Sequence, residues 1–184
     1  MTSLLKIRQA AIVVRSGGVV AYPTEGVYGL GCDPGDGDAV ARILEMKRRP
    51  ASAGLILIAV DARQLHGWIA PGAEERRRIA EGADGITWVV TATRDTPDWI
   101  TGGRATVAVR VTRHPVAAAL CAAAHTPLVS TSANRRGCPP ALTALAARRT
   151  FGTDIDCVLA GPTGGRGRPS EIRDARTGAT LRGG

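Results

Sequence analysis

Leu128-Val129-Ser130-Thr131-Ser132-Ala133-Asn134 is an apolar run that passes abruptly into hydroxyl and amide side chains. A strand whose end carries hydrogen-bonding groups is where an α/β sheet makes its ligand contacts, although the same four polar residues could serve as a turn and helix cap. Upstream, Pro115 to Ala124 is almost wholly alanine and apolar, with a proline at its first position, and reads as a buried helix. Further short apolar runs read as strands: Val19–Tyr22, Leu55–Ala59, Thr87–Val90, Ala105–Val111 and Asp156–Leu159. Helical spacing of Leu4, Ile7, Ala11 and Val14 marks a first helix, ended by Ser16-Gly17-Gly18. A second is capped by Asp36 or Asp38 and stops near Arg48, because Pro50 drives Arg49 toward an extended backbone. Glu74 to Glu81 reads as a charged, solvated helix, and Gly26, Gly29 and Gly31 as a loop. This alternation predicts an α/β (α+β) domain around a mixed sheet, one domain over residues 1–184.

With 44% apolar residues in 184, the chain can bury one substantial core. It has no run near the ~20 apolar residues of a membrane span and no signal-peptide core, so the reading is a soluble, cytoplasmic protein. Cys32, Cys121, Cys138 and Cys157 lack C-x-x-C spacing and the three histidines are scattered, which favours free thiols over a disulfide framework or a zinc site. The net charge of +8 suits polyanionic partners such as nucleotides or RNA, although an arginine-rich composition can also follow from genomic base bias. Aromatic residues are 3% of the chain and are not interleaved with the basic ones, which argues against a base-stacking platform. Gly29-Leu30-Gly31 lacks the third glycine of a dinucleotide fingerprint, and neither a Walker loop nor a Gly-x-Ser-x-Gly elbow is present.

Three groups of residues look chemical. Val40, Ile43 and Leu44 set the buried stripe of the second helix, and its continuation falls on Lys47, an unusual face for a solvated lysine. Lys47 and Arg49 either complement the helix dipole or hold an anion. Arg110 lies opposite Val107, Val109 and Val111, beside the small Thr106 and Ala108, so an acidic side chain or an anionic substrate must meet it. The arginine-glycine segment from 164 to 168 is either a mobile loop or a phosphate or RNA contact.

In order along the chain, Ala21-Tyr22-Pro23-Thr24-Glu25 with the glycines through Gly31, Lys47-Arg48-Arg49-Pro50, Ala108-Val109-Arg110-Val111, Ser130-Thr131-Ser132-Ala133-Asn134, Pro169-Ser170-Glu171-Ile172-Arg173-Asp174 and Leu181-Arg182-Gly183 resemble the YrdC/Sua5 family, in its short bacterial form that makes threonylcarbamoyl-AMP. The resemblance implies an open, twisted mixed sheet with flanking helices and a concave basic cavity. It implies synthesis of L-threonylcarbamoyladenylate from L-threonine, bicarbonate and ATP, with pyrophosphate released, for the t6A modification at position 37 of tRNAs reading ANN codons. It assigns Lys47 and Arg49 to the phosphates and to catalysis, Ser132, Asn134 and Arg182 to the nucleotide, and Thr24, Arg110, Ser130 and Ser170 to the threonine and carbamate. Mg2+ is expected to arrive with ATP, without a protein metal site or a tightly bound cofactor. The partners implied are the t6A-pathway proteins TsaD, TsaB and TsaE, with tRNA a further possibility. A different class of reading is a non-catalytic protein that binds double-stranded RNA or tRNA in the same basic cavity.

Two positions depart from the family pattern. Ala83-Asp84-Gly85-Ile86-Thr87 stands where relatives usually carry Pro-Gly-Pro-x-Thr, and Gly26 stands where many carry a threonine. The first loosens a turn and brings a negative charge; the second alters substrate fit or loop shape.

Overall fold

The computed structural model describes residues 2–81 and 85–183. Among them, helices α1 (Leu4–Arg15), α2 (Gly37–Lys47), α3 (Ala73–Glu81), α4 (Asp98–Thr101), α5 (Pro115–Ala124) and α6 (Ala144–Phe151) accompany strands β1 (Val20–Pro23), β2 (Tyr28–Gly31), β3 (Ile56–Ala59), β4 (Ile86–Thr91), β5 (Thr106–Val111), β6 (Leu128–Ser132), β7 (Cys157–Val158), β8 (Glu171–Asp174) and β9 (Thr180–Arg182). The strands form one mixed sheet in the order β7-β1-β2-β6-β3-β5-β4-β8-β9. The expected mixed α/β architecture is therefore present. No helix among the described residues is long and apolar enough to cross a membrane.

Strand alternation divides the core in two. Val20 and Tyr22 of β1, Ile58 of β3 and Leu128 of β6 point to the face covered by α1 and α5, where they pack with Ala10, Val14 and Leu120. Ala21, Leu30, Leu57 and Val129 point to the opposite face and pack with Val40 and Ile43 of α2. Asp36 starts α2 by accepting from the Asp38 and Ala39 amides at 3.1 and 3.0 Å, one of the two caps expected.

Register carries the first face beyond the reach of α1 and α5. Ile58 pairs with Leu128 and Arg110, whereas Ile56 pairs with Ser130 and Ala108, one pleat further along the same face. Ala108 is opposite Val89, and Thr87, two residues earlier on β4, is opposite Ile172. Arg110, Ser130, Ser132 and Thr87 therefore share the stretch of sheet that the two helices leave open. That stretch is the floor of a cavity.

Two expectations need correction. Tyr28-Gly29-Leu30-Gly31 is a strand rather than a loop, paired antiparallel to β1 and to β6. Its glycines are there because side chains would not fit: a Cβ at Gly31 would overlap Val129 O, and one at Gly29 would lie 3.3 Å from the Tyr22 ring. Thr131 and Ser132 still belong to β6, two residues beyond the expected strand end, and Asn134 follows in a bend. The departure at Ala83 and Asp84 lies outside the described residues.

Candidate active site

The cavity has a volume of about 740 Å3, part of it open to solvent. Thr24, Arg49, Arg110, Ser130, Ser132, Ser170 and Arg182 all line it, so most of the residues singled out in the sequence converge although they are far apart in the chain. Lys47 and Asn134 lie immediately behind the lining, joined to it through Ser132.

Lys47 is placed by the burial of α2 and is only 7% exposed. Its Nζ donates to Ser132 O, Asn134 O and Asn134 Oδ1 at 2.5, 2.8 and 3.1 Å, which uses all three of its protons. Ser132 Oγ also donates to Asn134 Oδ1 at 2.7 Å. In this arrangement the lysine braces the Ser132–Asn134 segment and contributes its charge from behind. Burial, and then the Arg49 charge, lower its pKa from 10.5 to about 8. A lowered folded-state value means that the cost of burying the charge is felt below pH 8 and is relieved as pH rises from about 8 to 10.5. Lys6 and Lys47 are the only lysines in the sequence, so a spectrum of lysine labelled at Cε contains two signals. We expect the Lys47 signal to titrate near pH 8 and affinity for a polyphosphate to fall through the same midpoint.

Helix α2 closes on a left-handed residue, Arg48, with φ 49°. Arg48 N donates to Glu45 O and Arg49 N to Leu44 O, both at 2.9 Å, the paired closure that reverses the chain at a helix end. Arg49 thereby turns back toward the sheet. Its Nη2 donates to Ala53 O and Gly54 O at 3.3 and 3.0 Å, and its buried Nε has no partner among the described residues. Burial, then the charges of Arg182 and Arg104, lower its pKa; burial also lowers that of Arg182. Arg182 donates to Ser170 O at 2.9 Å, and Ser170 Oγ shares a buried 2.7 Å hydrogen bond with Thr87 Oγ1. These crowded cations are suited to an anion that several of them can share.

Arg110 meets the acidic side chain its position requires. Glu25 Oε2 stands 3.6 Å from its Nη2, and both side chains are buried. Glu25 Oε1 accepts from Thr112 Oγ1 at 2.6 Å, Arg113 N at 3.1 Å and His114 N at 3.3 Å. Burial pushes the Glu25 carboxyl up, but the Arg110 charge and these donors prevail and hold it below its usual value. Glu25 Oε2 and Arg110 Nε are both buried without a hydrogen-bond partner among the described residues. A carboxylate acceptor and a guanidinium donor thus face the same cavity, the two complements of an α-amino acid zwitterion. Thr24 is fixed beside them by donation from its Oγ1 to Val27 O at 2.7 Å.

Among the described residues the lining contains five arginines, Arg49, Arg110, Arg166, Arg168 and Arg182, against one carboxylate, Glu25. No group of three or more metal-binding side chains occurs among the described residues. The guanidinium groups of the lining suit a polyanion.

The family model described as Sua5_yciO_yrdC, telomere recombination, matches residues 12–184. The chain belongs to the Sua5/YciO/YrdC family. It is 53% identical over 179 residues to the threonylcarbamoyl-AMP synthase of Nitrosococcus oceani, covering 96% of this chain and 97% of the relative. It is 54% identical over 183 residues to the enzyme of the same name from Halorhodospira halophila, covering 98% and 96%. A crystal structure of P. abyssi Sua5 complexed with L-threonine superposes with a TM-score of 0.87 at 36% identity over 94% of this chain, which spans about half (51%) of that longer one. E. coli YciO superposes at 0.79 with 25% identity, covering 94% and 84%.

Within this Sua5/YciO/YrdC fold, reading the sequence missed Glu25 as the partner of Arg110, Thr87 as the partner of Ser170, and the placement of Arg166 and Arg168 on the cavity. Glu25 adjoins Thr24, so the demand for an acid near Arg110 was a usable signal. Thr87 gave none, because only the sheet order brings it beside Ser170, and the arginine-glycine segment from 164 to 168 stood open between a mobile loop and a phosphate or RNA contact.

Proposed function

We propose that the protein is a threonylcarbamoyl-AMP synthase that binds its amino acid and its nucleotide in this one cavity. The carrying observation is the concurrence of the synthase relatives, matched over nearly their full length, with a cavity that has an amino-acid-like pair at one wall and clustered guanidinium groups at another. L-threonine, bicarbonate and ATP are converted to threonylcarbamoyl-AMP, pyrophosphate and water. The neutral threonine amine attacks bicarbonate carbon, water leaves, and a carbamate oxygen then attacks the α-phosphorus as pyrophosphate departs.

Arg110 receives the threonine carboxylate, Glu25 holds Arg110 and faces the amino group, and Thr24, Ser130 and Ser170 border the amino acid and carbamate. Arg49 and Arg182 take the phosphates with Ser132, while Lys47 and Asn134 fix that segment from behind. No side-chain nucleophile is needed, because the reaction depends on positioning and on charge neutralisation at the transferring phosphoryl group. Mg2+ enters as the ATP complex and neutralises charge on the triphosphate; no tightly bound cofactor takes part. We place the reaction in the cytoplasm, carried out by residues 1–184 as one domain, with the product passed to TsaD, TsaB and TsaE for tRNA modification. The RNA-binding alternative is less well supported, since these arginines converge on a cavity that also contains a buried carboxylate.

Purified protein given ATP, Mg2+ and bicarbonate should release pyrophosphate only when L-threonine is added. Release independent of threonine, or production of ADP, would contradict the assignment.

A further inference from the structure

Residues 164–169 form neither helix nor strand, yet they supply two of the arginines on the cavity. Their path runs against two separate segments, residues 24–26 and Gly85. Gly164 N donates to Thr24 O at 2.9 Å and Arg166 N to Glu25 O at 3.3 Å. A Cβ on Gly164 would lie 2.7 Å from Glu25 O and 2.8 Å from Glu25 Cα, so only glycine allows this approach. A Cβ on Gly26 would overlap Arg168 O, and one on Gly85 would overlap the Arg166 guanidinium. Gly85 also has φ 71°, a backbone that proline cannot adopt.

Gly26 leaves room for the backbone of Arg168, and Gly85 leaves room for the end of the Arg166 side chain. Among the described residues no carboxylate pairs with Arg166 or Arg168; Glu171, which feels the Arg168 charge, is paired with Arg173 at 2.9 Å. Counted over the described residues, the lining without these two arginines carries three cations against Glu25, and with them it carries five. That doubles its net positive charge.

We propose that Gly26, Gly85 and residues 164–168 form one device that seats Arg166 and Arg168 at the cavity mouth as a second pair of polyphosphate-binding cations. This rests on the reading of the cavity as an ATP site. The ligand class is the triphosphate rather than the amino acid, because the buried Arg110–Glu25 pair already meets both charges of the latter. Arg166 and Arg168 are exposed, so their contribution is screened by salt and is greatest at low ionic strength.

Calorimetric titration of the full chain with inorganic tripolyphosphate, ATP and L-threonine at low salt tests the proposal. The Arg166→Ala/Arg168→Ala protein should bind tripolyphosphate and ATP about tenfold more weakly or worse, with threonine affinity within about twofold of the parent. Gly26→Ala should reproduce the polyphosphate loss by displacing Arg168, and adding it to the double arginine variant should cost nothing further. Unchanged tripolyphosphate binding by the double arginine variant overturns the proposal, as does a Gly26→Ala loss that multiplies with the arginine loss. If the parent binds neither ATP nor tripolyphosphate, the ATP reading itself fails and the proposal with it. A parent that binds both, alongside an unaffected variant, overturns the arginine pair alone.

Discussion

Arg110→Ala is expected to reduce kcat/KM for threonine by about 100- to 3,000-fold, equivalent to ~3–5 kcal/mol, the usual cost of removing one partner from a buried charge pair. Two effects combine. The carboxylate of the amino acid loses its guanidinium, and Glu25 is left in a buried position with Oε1 still held by three donors but no counter-charge. Binding of ATP alone should change little, because Arg49 and Arg182 remain. Titration with threonine, followed by titration with ATP on the same variant, separates these effects.

The pH dependence of stability should change sign in this variant. In the parent, the lowered Glu25 value means that its contribution is present at neutral pH and is lost as pH falls through the carboxylate range. Without Arg110, burial dominates and raises the carboxyl. The contribution is then greatest at low pH and lost as pH rises through the raised value. Thermal unfolding between pH 4 and pH 8 should therefore show Arg110→Ala closing on the parent at the acidic end, while a gap that is constant with pH would mean that Glu25 is not held by Arg110.

Lys47→Met is the second large effect. Methionine keeps the apolar length of the stem but leaves Asn134 O without the lysine donor, at ~1–3 kcal/mol for an unsatisfied acceptor, while Ser132 O keeps only the Asn134 amide at 2.9 Å. Relief from burying an ammonium offsets part of this loss, so the fall in stability should be modest. The fall in activity should not be. We expect at least about a 100-fold loss in kcat/KM for ATP, because Ser132 and Asn134 lose the group that fixes them and the site loses a positive charge. Lys47→Arg should fail to restore it, since a planar guanidinium cannot direct three protons to three converging oxygens. Near-parental ATP kinetics in Lys47→Met would show that the lysine is only a helix-end cation.

The fold was legible wherever apolar periodicity was strong. Helix α5 was readable to its end residues, and α2 to its cap and its stop, because proline, aspartate and the buried stripe act locally. Strand β2 was not, since two glycines in four residues normally signal a loop; their cause is the Val129 carbonyl and the Tyr22 ring, contacts set by the tertiary structure. Strands β8 and β9 are short and only half-buried or exposed, so they left little apolar signal. Arg110 and Lys47 stood out because a charge on a buried face demands explanation. What they meet was harder to read. The Lys47 ammonium faces carbonyl oxygens, and backbone acceptors have no sequence signature.

The most direct test is the fate of bicarbonate carbon. Incubation with ATP, Mg2+, L-threonine and 13C-bicarbonate, followed by mass spectrometry of the adenylate, should give threonylcarbamoyl-AMP heavier by one mass unit than the product from unlabelled bicarbonate. An unlabelled threonyl adenylate, or no adenylate from protein that binds both ATP and threonine, would contradict the account.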